Sequence, residues 1–594
     1  MSDKKVSEMT ANSTPQSTDL LMLIDDPSGS PQNQKITVAD LLGTVSVKHY
    51  GAVGDGVVDD TVAVDAWIDA VTAAGGVGTI PADFNCLCST WTQKSITANL
   101  RLRSDGGTIT GDGTADFLQA AGGDIHLDGI NFASWDRVIE NVRADSGTTG
   151  NLIIRNCGFS SIDFYAVYIE RPVDYADISH NTFASMSTGC ILIGENTYAN
   201  QDNWQRIIIA HNEARDINNT GAGNVHFCLI FGRHASITDN LIENVTANTG
   251  EAWGIYTKCR YAVISGNKVN GISSTSSNAH AINVKGSGRG VTTTPQGFAC
   301  VVSNNSLLGS GGGNGVHIQN DDTLVTSNFI ENFVVGASVS DGDHVTISNN
   351  RIIGEGTTNN TWGVQANHDG DNLIVSGNNI DTCENAIRIA NGSVDQNDWL
   401  VHGNMMRNCS GMGIECLVGT QTLFNLTVSD NVVENATRFG AFGGVDGLTV
   451  TGNRWRTLSD GNIQWLDMAG DLCQNVHLKN NAPFSFTTTD ASTTSAFQLN
   501  VPDNTAISIE FRAVAMESDG TDRAVYRKGG LFYRDGASVA QEGATYDLAT
   551  DIESDATWGG TSLAISGDSV LARGQGVASQ TINWQFDIEV VTVN

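Results

Sequence analysis

The sequence predicts an all-β chain whose long central part is a parallel β-helix, a solenoid in which each short repeat forms one coil. Two recurring patterns predict this fold. A short, largely apolar phrase ending in Asn, such as ISHN or VSGN, occurs 13 times between residues 156 and 481. A second phrase, Gly followed by an apolar, a variable and an apolar residue, recurs between these asparagines. Abundant Gly (65) and scarce Pro (8) suit many turns between short strands.

The Asn phrase sets the period of the solenoid. Steps between successive asparagines run from 22 to 38 residues, and such a period indicates one structural unit per repeat. Stacked coils pair strand on strand at about 4.8 Å, so the amides at one corner can bond one another as a ladder. The asparagines are Asn156, Asn181, Asn212, Asn240, Asn267, Asn305, Asn328, Asn350, Asn378, Asn404, Asn431, Asn453 and Asn481.

The length and net charge of the chain limit the fold classes and the binding partners that it can have. A chain of 594 residues is too long for one ordinary core, whereas a solenoid escapes that limit because each repeat contacts only its neighbours. The net charge of −33 disfavours nucleic acid and anionic membranes as partners. No apolar run of about 18 residues occurs, so we expect no membrane insertion. The polar N-terminus lacks the apolar core of a signal peptide, which predicts synthesis in the cytoplasm without export by that route.

The 11 cysteines mostly lie inside strand-like runs, where free cysteine packs as a small hydrophobe. We therefore predict buried thiols rather than disulfides or metal ligands. Cys86 and Cys88 are too close together and too isolated to form a zinc site. The aspartates between residues 341 and 371 could hold Ca²⁺, but a turn-forming role explains them without metal. No metal site and no cofactor is predicted.

Four segments follow one another along the chain. Residues 1–43 are polar, with apolar stretches at 20–24 and 35–42. Residues 44–150 hold one helix and short strands, and residues 151–482 hold the repeats, each with at least two strands. Residues 483–594 lose the repeat and all cysteines. Alternating runs at 506–511 and 582–588 predict half-buried strands of a separate antiparallel β-sandwich.

The run YGAVGDGVVDDTVA at residues 50–63 leads into the predicted helix. Val64, Trp67, Ile68 and Val71 share one helical face. The residues DDT at 59–61 suit an N-cap and a first helical turn. Because a solenoid needs a cap at its open end, we predict that this helix covers the first coil.

This run resembles the opening of right-handed parallel β-helices of the pectate-lyase-like superfamily. The stretches within residues 1–43 are similar to virion-attachment segments of phage tail proteins, and the whole arrangement resembles bacteriophage tailspikes. The resemblance implies a homotrimer in the virion tail, attached through residues 1–43 to tail, portal or adaptor proteins. It also implies binding of a bacterial surface polysaccharide, either lipopolysaccharide O-antigen or capsule, often with endoglycosidase or lyase activity. None of these motifs specifies catalysis.

The Asn period separates scaffold carboxylates from candidate catalytic ones. Aspartates seven residues before a repeat Asn recur in register, which favours turn formers that bond their own backbone; these are Asp174, Asp321, Asp343, Asp371 and Asp446. Asp341 and Asp369 lie nine residues before their asparagines, so we expect them to stack in neighbouring coils. Two close carboxylates raise one pKa, which suits a general acid in glycoside hydrolysis; a pair of solvated turn aspartates is the alternative. Glu415 is a third catalytic candidate, although it may only pair with Arg388.

The variable residue of the Gly phrase is predicted to point out of the coil. This predicted column runs through Tyr168, Leu192, Ile230, Tyr256, Asn283, His317, Ser338, Gln365, Arg388, Glu415, Phe442 and Gln464. Its apolar beginning predicts contact with a neighbouring subunit or with the face of a sugar. Its polar stretch from Asn283 to Glu415 suits an extended glycan. We take Tyr256, Asn283, His317, Gln365 and Arg388 as substrate-binding residues.

The longest steps between repeat asparagines indicate insertions at residues 194–204 and 286–298. A related loop lies at 391–399. Tyr198, Trp204 and Trp399 lie in or beside them, close in sequence to carboxylates, and are candidates for a sugar platform; the carboxylates are Glu195, Asp202, Asp395 and Asp398. An adaptable surface loop is the alternative.

The sequence thus favours a tailspike that binds and hydrolyses a host surface polysaccharide. A non-cleaving adhesin and a polysaccharide lyase remain alternatives on the same scaffold. Lyase chemistry needs a His, Lys or Tyr base, and the available residues form no recognisable constellation in the sequence; they are His317, His368, Lys258 and Lys285.

Overall fold

The computed structural model describes the backbone of residues 20–25, 32–37 and 466–467 and the following ranges of the chain. These are 44–142, 149–195, 204–275, 278–286, 299–354, 361–367, 370–390, 395–417, 422–458, 477–479, 481, 483–501, 503–536, 538–554 and 558–593. Residues Leu20–Asp25 and Gln32–Thr37 form an antiparallel hairpin. The remaining chain divides into two compact units, residues 1–195 with 203–213, and residues 196–202 with 214–594.

Both units contain parallel β-helix, which confirms the predicted fold class. Each coil holds three strands, which is consistent with the predicted minimum of two. The first strand precedes the repeat Asn, the second follows it, and the third carries the Gly phrase. Each strand pairs in parallel with its counterpart one coil away.

In the first unit, the strands of the β-helix are shorter than six residues. The first strands are Thr44–Ser46, Val77–Ile80, Leu100–Ser104, Ile125–Asp128, Leu152–Arg155, Tyr175–Ser179 and Arg206–Ala210. The second strands are Asp55–Asp59, Asn85–Leu87, Thr108–Thr110, Asn131–Ala133, Gly158–Ser160 and Thr182–Met186. The third strands are Lys94–Ile96, Asp116–Ala120, Arg137–Asn141, Tyr165–Ile169 and Gly189–Ile193.

In the second unit, two coils run the third strand directly into the next first strand, giving the 14-residue strands Val225–Thr238 and Ala252–Ser265. The other first strands are Ala299–Ser303, Thr323–Thr326, Thr346–Ser348, Ile374–Ser376, Gln396–His402, Leu423–Ser429, Val445–Asp446 with Thr449–Thr451, and His477–Lys479. The second strands are Glu213–Asn219, Leu241–Ala247, Lys268–Ser274, Ser306–Leu308, Phe329–Glu331, Arg351–Ile353, Asn379–Asp381, Met405–Arg407, Val432–Ala436 and Arg454–Leu458. The other third strands are Ala279–Lys285, Asn314–Gln319, Val335–Asp341, Trp362–Asn367, Asn385–Ala390, Met412–Leu417, Arg438–Gly443 and Leu466–Asp467.

The repeat asparagines form a buried hydrogen-bonded ladder. Asn350 illustrates the pattern. Its side-chain carbonyl accepts the backbone and side-chain N–H groups of Asn328, each at 3.0 Å. Its own amide donates to Asn378 in the next coil and to the carbonyl of Val325 in the coil before, at 3.0 Å each. A buried amide with every group bonded is stabilising, whereas a buried amide without partners is costly.

The residue before each ladder Asn has a backbone conformation that explains which residue types occur at that position. Asn349 has a φ of 55°, and Gly377 at the same place in the next coil has a φ of 63°. Gly, Asn, Asp, His and Ser occupy this corner because it is left-handed, which glycine and short polar residues tolerate best. Asn156 also lies at this corner, with a φ of 55°, so the prediction that it joins the ladder is wrong. Cys157 takes the ladder position in that coil and donates its backbone N–H to Asn181 at 2.9 Å.

The predicted helix is Thr61–Ala74. Val64, Trp67, Ile68 and Val71 are fully buried, as the sequence pattern predicts. Trp67 Nε1 donates to the carbonyl of Val45 at 2.6 Å, which ties the helix to the first strand of its unit.

The turn before this helix is held by two carboxylates. Asp60 accepts the backbone N–H groups of Val53 and Gly54 at 2.7 and 3.0 Å. Asp59 accepts the hydroxyls of Thr61, Ser89 and Thr90. These bonds stabilise the ionised form, so the pKa of Asp59 lies well below its usual range. Both carboxylates therefore have structural partners, as expected for a capping segment.

Beyond residue 483 the strands are antiparallel. They are Phe484–Thr488, Thr493–Asn500, Thr505–Glu517, Arg523–Arg534, Val539–Asp547, Ile552–Glu553, Thr561–Ser566, Ser569–Gln575 and Ile582–Val593. Thr493–Asn500, Ser569–Gln575 and Thr561–Ser566 form a separate three-stranded sheet. It packs on the larger one through aromatic side chains, with the Phe484 and Phe497 ring centroids 5.3 Å apart. This two-layer arrangement matches the predicted sandwich.

Ten cysteines lie in the described ranges, and all ten are buried free thiols. Burial raises the pKa of the Cys228 thiol above its usual range, which makes the thiolate unavailable. Among the described residues, no group of three or more His, Cys, Asp or Glu side chains could hold a metal ion. No helix in those ranges is long and apolar enough to cross a membrane.

We predict that Asn350→Ala destabilises the protein by about 3 kcal/mol, because the Asn328 amide and neighbouring backbone groups lose buried partners. Thermal unfolding followed by circular dichroism measures the effect. The matched control is Asn349→Gly, which keeps the left-handed corner and should change stability by less than about 1 kcal/mol. Equal melting temperatures for Asn350→Ala and the native protein would contradict the ladder's role.

Candidate functional site: the outer face of the third strands

The third strands of the second unit carry one face of aligned side chains that points away from the core. Residues on the opposite face, such as Ile282, Val316 and Val364, are completely buried. Strand pairing aligns one outward residue per coil, in the order Tyr256, Asn283, His317, Ser338, Gln365, Arg388 and Glu415. This is the stretch that the sequence predicts as a column. We call this face, with the outward residues flanking the column, the third-strand surface.

Two members of the predicted column are displaced by one residue. Tyr256 pairs with Leu229, not with Ile230, and Glu415 pairs with Ala441, not with Phe442. Ile230 and Phe442 are completely buried and belong to the core. Tyr168 and Leu192 pair with each other within the first unit. Gln464 lies outside the described residues.

An aromatic cluster forms one end of the third-strand surface. The ring of Tyr256 lies 4.8 Å from Trp253 and 6.0 Å from Phe231 between centroids. Leu229 packs against the same cluster. These contacts within one chain bury Tyr256 to 6% exposure, so a neighbouring subunit is not needed to cover it. Within the described part of the chain, Trp253 Nε1 is buried and has no hydrogen-bond partner.

Two stacked histidines follow the aromatic cluster. The rings of His280 and His317 are 4.7 Å apart and nearly parallel. Asn314 Nδ2 lies 3.1 Å from His280 Nδ1 and 3.4 Å from His317 Nδ1, and Ser340 Oγ lies 3.2 Å from His317 Nε2. Burial lowers the pKa of His280 to about 3 and that of His317 to about 4. Both imidazoles are therefore neutral at ordinary pH and act as hydrogen-bonding groups.

A charged group lies at the other end. Arg388 Nε is 3.3 Å from Glu415 Oε2, and Asn385 Nδ2 donates to the same carboxylate oxygen at 3.1 Å. The Arg388 guanidinium lies over the Trp362 ring at 4.8 Å. Glu415 is thus engaged by Arg388 and Asn385, and these contacts favour an orienting role over that of a general acid.

The in-register aspartates form a second ladder. The Asp321 carboxylate accepts the backbone N–H of Asp343 at 2.8 Å, and Asp343 accepts that of Asp371 at 2.9 Å. Asp371 in turn accepts two N–H groups of Asn397. These residues are scaffold, as predicted, but each bonds the next coil rather than its own backbone. Sequence spacing alone does not distinguish these two arrangements.

Of the three catalytic candidates, Asp341 and Glu415 lie in the described ranges, and they are not neighbours. Asp341 ends the third strand Val335–Asp341, where a register shift sets it opposite Gln319. Asp369, its predicted partner, lies outside the described residues. Glu415 is three coils from the coil of Asp341, which is about 14 Å along the solenoid. Asp341 and Glu415 are therefore too far apart for the two carboxylates of a glycosidase, which need about 5–9.5 Å.

The predicted aromatic platform is not available on the described surface. Trp204 and Trp399 are each 1% exposed. Trp204 Nε1 donates to the carbonyl of Arg171 at 2.7 Å, and Trp399 Nε1 donates to that of Gly370 at 3.2 Å. Both rings are core residues, which corrects the sugar-platform prediction for them. Tyr198 and most residues of the three predicted insertions lie outside the described ranges.

Sequence reasoning missed the residues that precede the glycine of the third-strand phrase. Trp253, His280, Asn314, Trp362 and Asn385 occupy this position or its equivalent. Trp253 and Tyr256, three residues apart in sequence, meet with their ring centroids 4.8 Å apart. The recurrence of large polar and aromatic residues just before the glycine was the available signal.

Comparison with known proteins places these coils in a recognised fold. Residues 280–455 match the family described as "right handed beta helix region", which agrees with the predicted handedness. No curated protein matches the chain significantly.

Two of the solved structures that are similar to this chain are a phage protein and an epimerase module. The tailspike protein of E. coli bacteriophage HK620, in complex with pentasaccharide, is 12% identical with a TM-score of 0.40, covering 96% of this chain and 97% of that chain. The A-module of the Azotobacter vinelandii mannuronan C-5 epimerase AlgE4 is 15% identical with a TM-score of 0.30, covering 73% of this chain and 98% of that chain.

The histidine pair makes stability depend on pH. Because both folded pKa values lie below the unfolded value of about 6.5, the unfolded chain binds more protons between pH 4 and 6.5, and stability falls as the pH drops through that window. We predict that the double variant His280→Gln/His317→Gln loses less stability than the native protein between pH 7 and 4.5, by up to about 2 kcal/mol per histidine.

Unfolding temperature at the two pH values measures this difference. Carboxylate protonation contributes to both proteins and cancels in the comparison. His234→Gln, at an exposed histidine outside the pair, is the control variant. An identical pH dependence of the native protein and the double variant would contradict the buried, neutral state of the pair.

Proposed function

We propose that this protein binds an extended bacterial surface polysaccharide along the third-strand surface, in the manner of a phage tailspike. The observation that carries the proposal is the column from Tyr256 to Glu415, in which strand pairing sets seven successive outward side chains in line. Seven coils at about 4.8 Å span roughly 30 Å. A linear ligand with repeating units suits a surface with this periodicity.

The chemistry of the surface supports a glycan. Sugars present an apolar ring face and many hydroxyl groups. Trp253, Tyr256 and Trp362 provide aromatic rings, while Asn283 and Gln365 provide amides that donate and accept hydrogen bonds. The chain's net charge of −33 opposes nucleic acid as the linear ligand.

We extend the proposal to the virion. The apolar stretches at 20–24 and 35–42 are similar to virion-attachment segments, which supports attachment of residues 1–43 to phage tail, portal or adaptor proteins. The resemblance of the whole arrangement to tailspikes supports assembly as a homotrimer. Light scattering of the purified protein tests the trimer. A stable monomer would remove that part of the proposal and leave glycan binding in place.

Hydrolysis is a further part of the proposal and concerns Asp341. It lies at the end of a third strand, beside the column, and is only partly exposed. Its predicted partner is Asp369. The non-cleaving adhesin is the competing function, because Glu415, the other described carboxylate of the column, is already paired with Arg388.

We predict that Trp362→Ala and Gln365→Ala each weaken glycan binding about tenfold, because each removes an aromatic face or a hydrogen-bonding amide from the column. Binding is measured on intact cells of a panel of bacterial strains and on lipopolysaccharide and capsule purified from any strain that binds. Asn379→Ala, on the exposed second strand Asn379–Asp381, is the matched control. Unchanged binding by both column variants would place the glycan elsewhere.

We predict that Asp341→Asn lowers cleavage at least a hundredfold, the loss typical of removing a general acid or base, while binding is retained. New reducing ends report hydrolysis, and the ultraviolet absorbance of unsaturated uronates reports elimination. Glu415→Gln should keep cleavage, since Glu415 has an orienting role. Full cleavage by Asp341→Asn would exclude this residue, and binding without either product would leave the adhesin.

A further inference from the structure

A β-bulge at the end of one third strand sets Ser340 apart from the regular strand pairing. Ile318 lies opposite Val339, but the next residue, Gln319, lies opposite Asp341. Ser340 is therefore the extra residue of the bulge and has no opposite residue of its own. Bulges re-aim side chains and are common beside active sites, so the surroundings of this hydroxyl are of interest.

The hydroxyl of Ser340 contacts an imidazole in the preceding coil. Ser340 Oγ lies 3.2 Å from His317 Nε2. Both residues are partly exposed, so a ligand on the third-strand surface can reach them. Burial, followed by the charge of Lys285, lowers the pKa of His317 to about 4. The imidazole is therefore neutral at pH 7, and its unprotonated nitrogen can accept a proton.

Asn314 determines which nitrogen of His317 is unprotonated. Asn314 Nδ2 lies 3.4 Å from His317 Nδ1 and 3.1 Å from His280 Nδ1. A half-turn of the amide puts Oδ1 in the same place, because the two atoms have nearly the same size. In that orientation Oδ1 accepts the N–H groups of both Nδ1 atoms. His317 Nε2 is then the unprotonated nitrogen, and it faces the hydroxyl of Ser340.

We propose that this site is an esterase, in which Ser340 is the nucleophile, His317 the general base and Asn314 the residue that positions the base. The three groups follow the order of a serine hydrolase triad, with an amide where a carboxylate is more usual. The substrate class is an O-acyl group on a sugar hydroxyl, because the site lies in the column that is proposed to bind a glycan. Only this assignment of the acyl group to a glycan rests on the proposed function.

The hydrolysis of such an ester proceeds in two balanced steps. Ser340 Oγ attacks the carbonyl carbon while its proton passes to His317 Nε2. The bond from the carbonyl carbon to the sugar oxygen then breaks, the sugar oxygen takes that proton, and an acyl-serine is left. Water attacks the acyl-serine and gives a proton to His317, which returns it to the serine oxygen as the carboxylic acid leaves. Water is the one co-reactant.

Two hydrogen-bond donors lie at the edge where negative charge would develop on the carbonyl oxygen. Gln319 lies opposite Asp341, the residue next to Ser340, and on its other side it pairs with Lys285. Both donor side chains are partly exposed. Donors at such an oxygen stabilise the transition state. Gln319 is in the coil adjacent to Ser340, and we assign it as the donor to the oxyanion.

The full-length protein tests the esterase with a fluorophosphonate probe, which transfers its phosphonyl group to an activated serine and releases hydrogen fluoride. Mass spectrometry of the digested protein locates the label, which we expect on Ser340. Hydrolysis of para-nitrophenyl acetate measures turnover, which should be slow because an imidazole of low pKa is a weak base. Ser340→Ala and His317→Gln should each lower it at least a hundredfold, with folding checked by circular dichroism.

Ser429→Ala is the matched control. Ser429 Oγ also contacts a histidine, at 2.9 Å from His402 Nδ1, but Ser429 is buried on a first strand. This variant should leave labelling and hydrolysis unchanged. An unlabelled Ser340 in the native protein, or unchanged hydrolysis by Ser340→Ala, overturns the inference.

The positioning role of Asn314 is tested by comparing two variants. Asn314→Asp should keep most of the hydrolysis, because a carboxylate also accepts the N–H of His317 Nδ1, whereas Asn314→Ala should lose most of it. Nitrogen NMR of the imidazole reports which nitrogen is protonated and should show the change in Asn314→Ala alone. Equal loss of hydrolysis in both variants overturns the role of Asn314.

Acetylated methyl β-D-glucoside tests the assignment to a sugar ester, with released acetate as the measurement. Labelled Ser340 together with an inert glucoside overturns that assignment. The proposed function fails or stands separately, by the binding of the native protein to cells. Cell binding without labelling removes the esterase and leaves glycan binding in place, whereas labelling without cell binding leaves the esterase and removes the glycan.

Discussion

The register between coils is the constraint on which the rest of the structure depends. Each ladder Asn bonds the backbone and the amide of its counterpart in the preceding coil, so a slip of one residue would leave several buried polar groups without partners at once. Loops between strands can then vary in length without changing the alignment. The step of 38 residues before Asn305 and the step of 22 before Asn350 end at the same ladder position.

A fixed register turns the surface into a one-dimensional lattice. Outward side chains in one column can be separated only by multiples of about 4.8 Å along the solenoid. Adjacent coils bring groups into contact, as with His280 and His317 or Arg388 and Glu415. Groups three coils apart, such as Asp341 and Glu415, cannot act on the same bond. The lattice therefore excludes some catalytic pairs and allows others before any chemistry is considered.

The sequence was sufficient for features that repeat and insufficient for features that occur once. Periodic Asn and Gly phrases predict the solenoid, the ladder and most of the outward column, because each coil supplies the same observation again. The column predictions for Ile230 and Phe442 are wrong because, in these two coils, the phrase is one residue out of register with the strand pairing to the neighbouring coil. The sugar-platform prediction is wrong for Trp204 and Trp399 because the length of a loop does not indicate whether an aromatic ring in or beside it faces solvent or the core.

The Gly phrase does not mark the outward residues that flank the column, although they lie on the same strands as the column. Trp253 and Lys258 flank Tyr256 on the strand Ala252–Ser265, and the rings of Trp253 and Tyr256 are 4.8 Å apart. Gly254 itself is required there, because a Cβ would lie 2.5 Å from the carbonyl oxygen of Ala281 in the next coil. Close packing of the coils beside the buried aromatic cluster of Phe231, Trp253 and Tyr256 thus depends on this glycine.

Charge and burial on this surface together define what it can recognise. The histidines are held neutral by burial, and Glu415 is neutralised by Arg388. Lys258, Lys285 and Asp341 add charged groups at the ends of their third strands. A surface of this kind recognises a linear ligand mainly through hydrogen bonds and ring faces, which repeat from coil to coil, and sets its position through a few charges, which do not repeat. Such a combination can select one repeating unit and fix its register on the solenoid.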